Sequence, residues 1–181
     1  MALKLQNQSL GRMTPEAFKA SPKHPLVLVL DNVRSLHNVG SAFRTADAFL
    51  VEEIILCGSS GTPPAKEIEK TALGATATVK WSYVSSTAEA ITRLRQNGYL
   101  VYAVEQAEGS TRLNDFAFGG KKTALVFGNE VYGVEQDILN MCEGVVEIPQ
   151  FGTKHSLNIS VAVGIVLWEI VKDLKGPINT L

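Results

Sequence analysis

The sequence predicts an α/β fold, a mainly parallel sheet flanked by helices. Two observations lead there. Short apolar runs alternate with helix-patterned stretches along the chain, the order expected of a parallel sheet covered on both faces. Three polar loops, residues 31–40, 128–133 and 149–158, each follow an apolar run. In open α/β sheets the loops after the strands are where ligands bind.

Residues 1–25 read as a short N-terminal extension and 26–181 as one domain, long enough for a real core. In the extension, Thr14 caps a short helix with Pro15 at its first position, and Ser21-Pro22 ends it. Residues 26–30, L-V-L-V-L, suit a strand buried on both faces. The loop 31–40 is long and polar for a strand-to-helix turn, a type that is often functional. The helix expected over 39–50 places Ala42, Phe43, Ala46, Phe49 and Leu50 on one face. A strand at 53–57 follows, then a flexible loop at 58–64 and a helix over 65–73 closed by Gly74. Further strands fall at 78–83, 100–104, 124–127 and 145–148, with helices at 86–97 and 134–141.

The last helix, expected over 157–171, is apolar on nearly all sides, the pattern of a buried helix. Its start carries Ser156, Asn158 and Ser160. Ser156 suits the free N–H groups of a helix N-terminus. Asn158 and Ser160 fall inside the predicted helix, where such residues are mildly unfavourable. Together with Lys154 and His155 they make a polar cluster on a strand-to-helix turn.

Apolar content of 45% and charged content of 19% are ordinary for a globular chain. Residues 1–44 hold six basic and two acidic side chains, +4, which leaves −5 for the rest of a chain of net charge −1. A basic quarter on an acidic body could face phosphates, or be scattered solvated charge. Cys57 and Cys142 stand far apart and the three histidines have no ligand spacing, so no metal site or disulfide framework is expected. The N-terminus lacks a signal-peptide core, and Asn158, Ser160 and Glu169 interrupt the longest apolar run. A cytoplasmic protein is expected.

Familiar nucleotide motifs fail. No G-x-G-x-x-G follows the first strand, and G-N-E-V-Y-G is followed by Val134-Glu135 instead of Lys-Ser/Thr. Glu130 would repel phosphate. Its place just past a buried strand favours a site role over a plain surface carboxylate.

Three stretches in order carry a specific resemblance: N-V-G-S-A-F-R-T-A-D-A-F at 38–49, L-V-F-G-N-E-V-Y-G-V at 125–134 and I-P-Q-F-G-T-K-H-S-L-N-I-S-V-A-V-G at 148–164. The chain resembles the SpoU (TrmH) family of SPOUT methyltransferases from about Leu26 to about Leu174, with Ser41 where the family has alanine. The resemblance implies a C-terminal trefoil knot, rare elsewhere. It implies transfer of methyl from S-adenosylmethionine to a ribose 2′-hydroxyl of RNA, without a metal. The cofactor contacts it implies are Val104, Gly128, Ile148, Ser156 and Leu157, largely through backbone. The catalytic set it implies is Arg44, with Asn38, Glu130, Ser156 and Asn158 around it. An arginine base is awkward because the guanidinium stays protonated; holding a phosphate and stabilising an alkoxide is the milder role. Arg44 alone would read as a helix-surface arginine.

A homodimer near the site is also implied, formed by the last helix over 157–174 and the short N-terminal helix. Its motive is the apolar excess around Val161, Ile165 and Trp168. With only about 25 residues before the first strand, tRNA is favoured over rRNA as substrate. Two other readings stay open: an RNA-binding module without transferase activity, and a methyltransferase for a small molecule.

Overall fold

The computed structural model describes residues 2–172. Seven strands form one sheet: β1 (His24–Asp31), β2 (Val51–Cys57), β3 (Trp81–Val84), β4 (Leu100–Val104), β5 (Thr111–Arg112), β6 (Thr123–Phe127) and β7 (Gly144–Glu147). Their order across the sheet is β3-β2-β1-β6-β4-β7-β5, and every pairing is parallel. The helices are α1 (Pro15–Ala20), α2 (Leu36–Ala48), α3 (Lys66–Ala72), α4 (Thr87–Gln96), α5 (Gln136–Leu139) and α6 (Ile159–Val171).

Alternation along the strands divides the interior in two. Leu26, Leu28 and Leu30 of β1 face a core shared with α2, α3 and α6. Val27 and Val29 face a second core shared with α4 and α5. Both faces of β1 are therefore sealed, which is why its sequence is an unbroken apolar run. Each fully buried leucine contributes about 1.5–3 kcal/mol relative to exposure. Thr14 Oγ1 accepts from the Ala17 N–H and starts α1, which inserts Phe18 into the first core.

Several boundaries differ from expectation. β1 starts at His24, two residues early. α2 begins at Leu36 because Ser35 Oγ caps it through the Asn38 N–H, and it ends before Leu50, whose φ is 50°. The third strand, expected from residue 78, starts at Trp81, because the chain is still leaving the 3-10 helix Ala75–Ala77. β5 has two exposed residues, too few to leave a sequence pattern.

The largest differences concern α6. Asn158 is its N-cap, not an interior residue: Asn158 Oδ1 accepts from the Ser160 N–H at 2.9 Å and from Ser160 Oγ at 2.6 Å. Nor is the helix buried all round. Val163, Val166, Leu167 and Ile170 enter the core, while Val161, Ile165 and Trp168 form an exposed stripe, with Trp168 60% exposed. An apolar sequence registers both faces alike, since the sheet and α2 cover only one. Residues 173 and 174 of the expected helix lie outside the described residues. Among the described residues no helix is long and apolar enough to cross a membrane.

Candidate active site

Four strands end level. Leu30 pairs with Phe127, Phe127 with Val104, and Val104 with Val146. The chain leaves β1, β6, β4 and β7 at one edge of the sheet, so the loops expected to carry function meet there. Those after β4, β6 and β7 enclose a cleft of about 710 Å³. Val104, Gly128, Ile148, Ser156 and Leu157 all line it, together with Glu130 and Asn158.

The turn after β6 is closed on itself. Asn129 and Gly133 exchange backbone hydrogen bonds at 3.0 and 2.9 Å. Asn129 Oδ1 accepts from the N–H groups of Val131 and Tyr132, and its Nδ2 donates to the Asn32 carbonyl at 2.8 Å. Glu105, at the end of β4, accepts from the Val134 N–H at 3.0 Å. A Cβ on Gly128 would stand 2.1 Å from the Gly133 carbonyl carbon and 2.3 Å from the Val134 nitrogen. What Gly128 admits is therefore the backbone of its own turn, a tighter constraint than room for a ligand.

That closed turn delivers Glu130 to the start of α2. Its Oε1 accepts from the Ser35 N–H at 3.0 Å and from Asn38 Nδ2 at 3.1 Å, and its Oε2 from the Arg34 N–H at 3.3 Å. Burial pushes the Glu130 carboxyl up, but these bonds and one to its own backbone together hold it below its ordinary value. Asn38 Oδ1 in turn accepts from Asn158 Nδ2 at 3.1 Å. One side chain from each of the three predicted motifs thus joins a single chain, Glu130–Asn38–Asn158. The arrangement fixes a carboxylate and two amides at the cleft mouth, as preorganised polar groups.

The other predicted residues are placed differently. Ser156 and Leu157 lie in the loop after β7, where residues 151–158 are exposed and Phe151 is 97% so. Gln106 Nε2 donates to the His155 carbonyl, the one hydrogen bond to residues 149–157 among the described residues. Arg44 is exposed on α2 and does not line the cleft. Its side chain makes no hydrogen bond or ion pair among the described residues.

Sequence reasoning missed the residues that build the turn. Asn32, at φ 55°, accepts from the Ser59 N–H and hydroxyl through Oδ1 and donates Nδ2 to the buried Asp31. Burial pushes the Asp31 carboxyl up, and a hydrogen bond from Thr87 Oγ1 works against that. Asn129, Glu105 and Gln106 complete the scaffold. The only advance signal was their type, asparagine and glutamate just past buried strands.

Residues 25–168 match the model of the SpoU rRNA Methylase family. The chain is 32% identical over 157 residues to the 23S rRNA (guanosine-2'-O-)-methyltransferase RlmB of Haemophilus influenzae, covering 87% of this chain and 63% of that protein. It is 33% identical over 147 residues to the tRNA (guanosine(18)-2'-O)-methyltransferase of Thermus thermophilus, covering 80% and 73%. Among solved structures, an AdoMet-bound rRNA methyltransferase from Sinorhizobium meliloti superposes with a TM-score of 0.79 at 30% identity, over 86% of this chain and 59% of that one. The A. aeolicus TrmH/SpoU tRNA modifying enzyme gives 0.75 at 30% identity, over 86% and 77%. The chain thus spans less than two thirds of the length of the Haemophilus relative. With one continuous match across the three motif loops and the sheet that carries them, the chain belongs to the SpoU rRNA Methylase family.

Proposed function

We infer that this chain transfers a methyl group from S-adenosylmethionine to a ribose 2′-hydroxyl of RNA, with tRNA favoured over rRNA. The observation that carries the reading is the Glu130–Asn38–Asn158 chain, which ties the three motifs together at one cleft. Relatives of both classes are matched at similar identity, the tRNA-modifying enzymes at 33% and 30% and the rRNA methyltransferases at 32% and 30%.

The cleft suits the cofactor. Its volume is that of a small-molecule site, Val104, Ile148 and Leu157 offer apolar surface to a ring, and Glu105 and Glu130 place carboxylates near where a cation would lie. Bound there, S-adenosylmethionine would supply an electrophilic methyl on a positively charged sulfur. Ser156 and Asn158, which line the same cleft, orient the ribose. Glu130 stays a carboxylate and fixes the Asn38 amide, so it is a poor proton acceptor. Arg44 holds the neighbouring phosphate and offsets charge growing on the 2′-oxygen, while the hydroxyl proton passes to water. Alignment supplies a large share of the acceleration.

The same reading includes the knot, the dimer and a cytoplasmic location. β6 and β7 are inserted on either side of β4, and the chain after β7 runs back to pack α6 against α2, a path compatible with threading. The stripe of Val161, Ile165 and Trp168 supports a homodimer through α6 with the region of α1. Sedimentation is expected to give a dimer at micromolar concentration. Mapping of 2′-O-methyl sites in total RNA with and without the protein tests the activity. Loss of one or a few tRNA sites in its absence is expected, and an unchanged map would end the proposal.

A further inference from the structure

The turn after β6 presents two side chains for which the cofactor cleft itself gives no reason. Val131 is 69% exposed and Tyr132 77% exposed, and both line the mouth of the cleft. Single exposed apolar residues are ordinary. These two are adjacent, and their backbone is held from both sides. Asn129 Oδ1 accepts from the N–H of each, the Asn129–Gly133 bridge closes the turn, and Asn129 Nδ2 anchors it to the Asn32 carbonyl. The Tyr132 hydroxyl makes no hydrogen bond among the described residues. A rigid turn thus holds an aromatic ring out in water beside the site.

The surroundings indicate what the ring would meet. Arg34 is exposed next to Tyr132's turn, since its N–H donates to Glu130. Lys154 is exposed on the facing loop, near the anchored His155 carbonyl. Neither cation has a partner among the described residues. An exposed aromatic ring, with unpaired cations on segments that border the same cleft, is a combination suited to single-stranded nucleic acid, with bases stacking on the ring and phosphates meeting the charges.

We propose that Tyr132 is a stacking platform for an unpaired RNA base, adjacent in the strand to the nucleotide whose ribose enters the cleft. Arg34 and Lys154 meet the phosphates on either side. The inference rests on the RNA-methylation reading and adds to it the requirement that the target lie in an unpaired segment. A ring stacked on Tyr132 is sequence-tolerant, because every base has a flat face.

The test uses the full chain, total cellular RNA carrying 4-thiouridine, and three proteins: wild type, Tyr132→Phe and Tyr132→Ala. Filter binding and ultraviolet crosslinking read RNA contact without chemistry, and calorimetry with S-adenosylmethionine reads the cofactor. Tyr132→Ala is expected to weaken RNA binding about tenfold or more and to remove the crosslink mapped to residues 129–134. Tyr132→Phe should keep both, and any fall in cofactor affinity in Tyr132→Ala should be much smaller than its fall in RNA binding. Wild-type affinity in Tyr132→Ala, Tyr132→Phe as weak as alanine, or a parallel fall in cofactor affinity would each overturn the platform. Absence of RNA binding by the wild-type protein would instead overturn the RNA reading on which it stands.

Discussion

Across the cleft, the turn 128–134 is tied at almost every residue, through Asn129, the Glu130 carboxylate and Glu105. The loop 149–157 opposite is tied among the described residues by one hydrogen bond, from Gln106 to the His155 carbonyl. Nearly all of its side chains face water. Segments with few internal bonds and little burial open at low free-energy cost. The first wall is set before anything binds, and the second must be ordered by what binds, at a cost to affinity. The division suits chemistry in which polar groups stay fixed while the reactants enter and leave.

The largest expected effect comes from a residue on neither wall. Arg44→Ala should lower the single-turnover methylation rate about 10²–10³-fold, with cofactor affinity close to wild type because Arg44 does not line the cleft. Arg44→Lys keeps the charge and loses the planar fork. A rate as poor as that of alanine would assign the role to guanidinium geometry, and substantial rate to charge alone. A near wild-type rate in Arg44→Ala would return Arg44 to the helix surface.

The rigid wall should break as structure. In Gly128→Val the new Cβ meets the Gly133 and Val134 backbone at 2.1–2.3 Å, and backbone cannot move aside as a side-chain tip can. Overpacking of this kind costs about 1–3 kcal/mol, which for a chain of this size lowers Tm by roughly 5 °C. Cofactor affinity should fall with it. A mutant with wild-type Tm by calorimetry would mean that the turn is looser than its hydrogen bonds imply.

How much of this could be read in advance follows the same division. Apolar runs marked five of the seven strands, most clearly where burial on two faces leaves a continuous signal, alternation marked β3, and the loops followed from where the strands end. β5 left none, being two exposed residues. Asn158 was legible as a polar intrusion but not as a cap, because Ser156, Asn158 and Ser160 are all capping types and only the backbone shows which one starts α6. Its bond to Asn38 spans 120 residues, and Glu130 meets Ser35 across 95. Such contacts depend on strand order, which local pattern does not encode. The exposed stripe of α6 was hidden for a related reason: sequence records hydrophobicity, not which face has a neighbour.

A smaller effect should appear in Glu130→Gln. The folded carboxyl lies below its ordinary value, so it contributes stability that is full above the unfolded value and is lost as pH falls through the folded one. Because the group is exposed, the contribution is about 1 kcal/mol or less after solvent screening. Wild type should therefore exceed Glu130→Gln in denaturant midpoint at neutral pH, and the two should converge in acid. A gap that widens as pH falls would contradict the hydrogen bonds assigned to Glu130.

The smallest effect should come from the looser wall, and it separates the two walls most cleanly. Gln106→Ala removes the side chain that donates to the His155 carbonyl and leaves the backbone of Gln106, which donates to Glu105, in place. Gln106 is exposed and outside both cores, so Tm should stay within about 1–2 °C of wild type. One neutral hydrogen bond contributes about 0.5–1.5 kcal/mol. Since the loop must be ordered when ligand binds, that amount should appear as cofactor affinity weaker by a few-fold. Amide hydrogen exchange of residues 150–157 in the free protein should quicken by a similar factor, while exchange in the turn 128–134 stays as it was. Equal quickening on both sides would mean that the walls open together as one unit. Unchanged exchange and affinity would mean that the Gln106 bond holds nothing, and that the loop after β7 is ordered by contacts other than this one.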